Sequence, residues 1–73
     1  QHDSAQDGNQ QFLRMMVDHH QGLIMMAQQA MERGSTEAVK TEARELHTKQ
    51  QTEQRQMMDM LQRQYNDAHQ PQV

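Results

Sequence analysis

The chain has 73 residues, 33% of them hydrophobic and 3% aromatic, with a net charge of −3 and no cysteine. One small domain of this size buries only about 60% of the surface its unfolded chain exposes, so a large private core is excluded. The missing cysteines exclude disulfide frameworks, thiolate zinc fingers and a cysteine nucleophile, and the Lys and Arg residues scattered from Arg14 to Arg63 make no phosphate-tracking patch for nucleic acid.

Residues 1–8 are polar and without periodicity, and are expected to be loosely ordered. The chain begins at Gln1 rather than methionine, as a processed or excised segment would. Asp7, followed three residues later by Gln10, forms a capping pair for a first helix over residues 9–33. That helix carries two adjacent seams of alternating four and three spacing: Phe12, Met16, His19, Leu23, Met26 and Ala30, and beside it Leu13, Val17, His20, Ile24, Ala27 and Met31. Neighbouring residues on a helix point ~100° apart, so the two seams form a broad arc that one partner helix cannot cover.

Arg33-Gly34-Ser35-Thr36 is the strongest punctuation, with Gly34 suited to a left-handed cap and Ser35 or Thr36 to capping the next helix. The second helix, residues 36–66, has a single seam through Val39, Ala43, Leu46, Gln50, Glu53, Met57 and Met60. A polar tail, residues 67–73, follows with the only proline, Pro71. No apolar run reaches the ~20 residues needed to cross a membrane, so no membrane insertion is expected.

The reading is all-α: an antiparallel two-helix hairpin, folding back so that facing residues have numbers adding to about 69. The first seam then pairs Leu23 with Leu46 and Phe12 with Met57, but also His19 with Gln50 and Met16 with Glu53. Left without partners, such a buried polar layer costs a few kcal/mol. Because the second seam stays open, the simplest completion is a four-helix bundle of two hairpins, from a homodimer or a second repeat.

His19 and His20 are the sharpest chemical feature, although adjacent imidazoles cannot easily chelate one ion. They read either as hydrogen-bonded core histidines, His19 to Gln50 or Glu53 and His20 to a neighbouring chain, or as ligands. Eight methionines invite the same two readings, adaptable filler or soft ligands. Met16, His19, His20 and Met26 form a thioether and imidazole set suited to Cu(I), while Glu53 draws preference toward Cu(II) or zinc. His2, His47 and His69 read as solvent-side or terminal, and Lys49 and Glu53 as part of a solvated face. The Glu-x-x-His pattern of di-iron bundles, phosphate loops and hydrolase elbows are absent from the sequence, so no enzyme is expected.

The pattern Phe12-x3-Met16-x2-His19-His20-x5-Met26-Ala27, then Leu46-x3-Gln50-x2-Glu53-x3-Met57-x3-Leu61, resembles one repeat unit of the domain of unknown function 305 family. Asn9 and Met60 depart from it, standing where members tend to carry Asp and Trp. The resemblance implies a ferritin-like helical arrangement, often of two hairpins, a periplasmic or secreted location, and copper binding or resistance. It places Met16, His19, His20, Met26, Gln50, Glu53 and Met57 at recurring positions. The expectation is a metal-binding protein holding copper, Cu(I) ahead of Cu(II) with zinc as alternative; the rival is a structural module whose His, Gln and Glu layer sets oligomeric state.

Overall fold

The computed structural model describes residues 4–73, with side chains from residue 7 onward. Two helices, α1 (Ser4–Arg33) and α2 (Glu37–Tyr65), pack as an antiparallel hairpin about 54 Å long and 17 Å across. Residues 4–8, expected to be loose, are the first turns of α1, with Asp7 complementing the N-terminal dipole. The remainder of that expectation, and His2, lie outside the described residues. Gln10 does not close a capping box with Asp7; its amide donates to Asp67 Oδ2 at 3.0 Å.

The turn falls where the sequence places it, but for a different reason. Gly34 has no positive φ. Its amide donates to Ala30 O at 2.8 Å, and a Cβ on Gly34 would sit 2.6 Å from that same oxygen. Closeness of approach, rather than a left-handed conformation, makes glycine necessary there. Thr36 is the N-cap of α2, its hydroxyl accepting from Val39 N at 3.2 Å. The left-handed cap appears at the other end of α2, where Asn66 (φ 53°, ψ 40°) donates from its amide to Gln62 O.

The seam of α1 that faces α2 is the second one: Leu13, Val17, His20, Ile24 and Ala27 are buried. The first seam, expected inside, lies at the flank of the contact, with Phe12 59% and Met26 65% exposed and Met16, Leu23 and Ala30 half-buried. Each seam holds five apolar residues and one histidine, so apolar burial alone does not choose between them. Satisfaction of polar groups favours the observed choice, because α2 meets the second seam with Gln54 and Glu53, which bond Val17 O and His20. α2 accordingly buries Ala43, Gln50, Gln54 and Leu61, leaving Val39, Leu46 and Met60 exposed. His20 meets Glu53, about one helical turn beyond the register of a plain fold-back.

The apolar core is small: Leu13, Val17 and Leu61, flanked by Met57, Met58 and Tyr65. Residues 67–73, expected from the sequence to be a polar tail outside the hairpin, return along α1. Asp67 pairs with Arg14 at 3.4 Å, and Asp18 accepts from the Gln72 amide at 2.9 Å. The tail therefore covers one flank of the hairpin near its open end.

Candidate functional site around His20

His20 sits mid-helix on the inner seam of α1, 5% exposed. Its Nδ1 lies 2.8 Å from Met16 O and its Nε2 2.9 Å from Glu53 Oε2. A carbonyl only accepts, so Nδ1 carries a proton and donates it; one further proton between Nε2 and the carboxylate makes the second contact a hydrogen bond. The backbone bond fixes the plane of the ring and leaves Nε2 as the nitrogen available for chemistry. Histidines that bind metals are commonly oriented in this way.

Glu53 is half-buried on α2, its side chain 40% exposed, so it meets both His20 and the outside of the hairpin. It joins no ion pair with Lys49, which is exposed; Glu53 itself belongs to the polar layer rather than to the solvated face. One residue on, Gln54 is buried and donates from Nε2 to Val17 O at 3.1 Å and to Gln21 Oε1 at 3.0 Å. Gln54 and Gln21 were not singled out in the sequence, although Gln54 lies four residues after Gln50 and seven before Leu61, on one heptad face. Gln50 is buried, and its Oε1 has no partner among the described residues.

The other expected ligands divide. Met16 lies one turn before His20 and Met57 one turn after Glu53, both half-buried. Met57 packs on the Leu13–Val17–Leu61 core. His19 is exposed and lies edge-on to His20, with ring centroids 6.1 Å apart; neither Gln50 nor Glu53 bonds it, since Glu53 is bonded to His20. Met26 lines a groove with Ala30, Val39 and Leu46 toward the turn, away from the histidines. Among the described residues no group of three His, Cys, Asp or Glu side chains could hold a metal ion. Of the expected ligands, His20 and Glu53 are the two that the hairpin brings into contact, with Met16 and Met57 one turn away.

A second polar cluster joins the tail to α1. Arg14 Nε donates to His69 Nδ1 at 3.3 Å, which places the proton of a neutral ring on Nε2, and that nitrogen donates to Asp18 Oδ1 at 2.8 Å. The hydrogen bond from His69 holds the Asp18 carboxyl below its ordinary value, assisted by the Gln72 amide and by Arg14. His69 is therefore not a solvent-side residue: its side chain is 10% exposed. The available signal was complementarity between Arg14 and Asp18, one turn apart, and Asp67 and His69, two residues apart. His47 is half-buried on α2.

The family model for a domain of unknown function (DUF305) matches residues 3–72 of the chain. No curated protein and no solved structure matches it.

Proposed function

The chain belongs to the domain of unknown function 305 family, and from that premise we propose that it is a non-enzymatic extracytoplasmic protein that binds copper through methionine and histidine. Buffering, transfer or resistance are the roles such binding serves. The orientation of His20 carries the reading: Nδ1 is anchored to Met16 O and Nε2 is directed at Glu53. A metal ion at Nε2 takes the place of the shared proton. Neutral imidazole with the thioethers of Met16 and Met57 favours Cu(I), whereas the Glu53 carboxylate gives Cu(II) or zinc a hold. The periplasmic or secreted location rests on the family resemblance alone.

Anaerobic Cu(I) titration against a competing chelator tests the assignment. Binding is expected in the parent protein and lost in His19→Ala/His20→Ala, with Met16→Leu weakening it while conserving side-chain volume. Unchanged affinity in the double variant refutes the reading.

A second reading has its own support, because every polar contact of His20 and Gln54 is also what a register-setting layer requires. Under it, His20→Ala lowers stability and no metal binds the parent stoichiometrically.

A further inference from the structure

The tail closes only one flank of the hairpin. Among the described residues nothing covers the opposite flank, which carries Phe12, His19 and Met26 on α1 and Leu46, Glu53 and Met60 on α2. Both sets have strict seven-residue spacing, with an ionisable residue at the centre and apolar residues at each end. Phe12 and Met60 line one shared groove at the open end, and Met26 and Leu46 line another near the turn. Because the hairpin is antiparallel, the levels along its axis pair Phe12 with Met60, His19 with Glu53 and Met26 with Leu46.

We infer that this flank binds a second copy of the same chain, about a two-fold axis parallel to the helices, bringing His19 of each copy to Glu53 of the other. Such an axis lays α1 of one copy on α2 of the other while preserving level along the bundle. Each apolar residue then meets an apolar residue and the central imidazole meets a carboxylate. The alternative two-fold, perpendicular to the helices, sets Glu53 against Glu53 and His19 against His19, so like groups oppose each other at the centre. Charge thus selects one of two otherwise similar bundles. The ~21 Å between Phe12 and Met26, taken across both helices, removes on the order of 1,000 Å² from water in the pair, the lower range for a specific interface.

The pairing also completes the site. In one hairpin His20 and Glu53 lack a third His or carboxylate ligand among the described residues. In the dimer, Glu53 lies between His20 of its own chain and His19 of the second copy, a three-residue set that a single chain does not provide. Adjacent histidines that point ~100° apart then each have a use, one within the hairpin and one across the interface.

The test is made with a chelator present, so that it stands apart from copper binding. Sedimentation equilibrium at about 100 μM should give twice the 8.6 kDa chain mass. Met26→Glu should weaken association by roughly tenfold or more with unchanged helicity by circular dichroism, whereas Met25→Glu, exposed but ~100° round α1 from Met26, should not. The chain has no cysteine, so single-cysteine variants report geometry directly. An equimolar mixture of Met26→Cys and Leu46→Cys chains should form mixed disulfides, and Phe12→Cys with Met26→Cys should not. A monomer at that concentration, equal weakening by Met25→Glu, or the reverse cross-linking pattern overturns the inference. Should Met26→Glu lose helicity, the cross-linking pair decides the matter.

Discussion

Replacing Glu53 in two ways probes the proton arrangement at the buried layer. His20 is 5% exposed, its Nδ1 is committed to Met16 O, and Glu53 alone meets Nε2. In Glu53→Ala the ring nitrogen has no partner and little access to water, a loss of about 1–3 kcal/mol for a buried unsatisfied polar group. In Glu53→Gln the amide can donate to the Nε2 lone pair of a neutral imidazole, so the bond survives without charge and the cost stays below about 1 kcal/mol. At ~0.05–0.15 kcal/mol per residue, a chain of this length has about 4–11 kcal/mol in total, so the alanine variant loses a visible share. Urea unfolding followed by circular dichroism, with a slope of ~1 kcal/mol/M for so small a domain, should show the midpoint falling by about 1–3 M for alanine and clearly less for glutamine. Protein concentration must be fixed, because self-association adds to apparent stability. If glutamine costs as much as alanine, the contact depends on charge and the hydrogen-bond argument is wrong.

Leu61 is fully buried in a core of few residues, so Leu61→Ala should cost about 2–5 kcal/mol, read as a lowered thermal midpoint. A Cβ at Gly22 meets nothing within 4 Å, so Gly22→Ala should stabilise the chain by about 0.5–1 kcal/mol; a loss of stability would reveal an unnoticed constraint on the open flank. The Asp18 carboxyl is shifted downward, so its contribution to tail docking is complete above the ordinary value of 3.8 and disappears as pH falls through the lower folded value. The protection factor of the Gln72 amide, taken against intrinsic exchange at each pH, should therefore fall across that acid window in the parent, and Asp18→Asn should show no such step.

The sequence by itself determined the class and outline of the fold: glycine-poor stretches of strong helix formers, a turn at Arg33 to Thr36 and seven-residue periodicity dictate a helical hairpin. It also identified His20 and Glu53 as chemically prominent. Which seam of α1 faces α2 was decided only in three dimensions. The two seams match in apolar count, and the difference lies in whether the buried polar groups find partners: Gln54 reaches Val17 O, and Glu53 reaches His20, only when the second seam is inside. The tail was illegible for a related reason. Its helix-free composition predicts looseness, while its order comes from contacts between Asp67 or His69 and residues more than 50 positions earlier. Local periodicity counts apolar residues, but hydrogen bonds between distant polar groups depend on directions and distances that exist only once the helices are side by side.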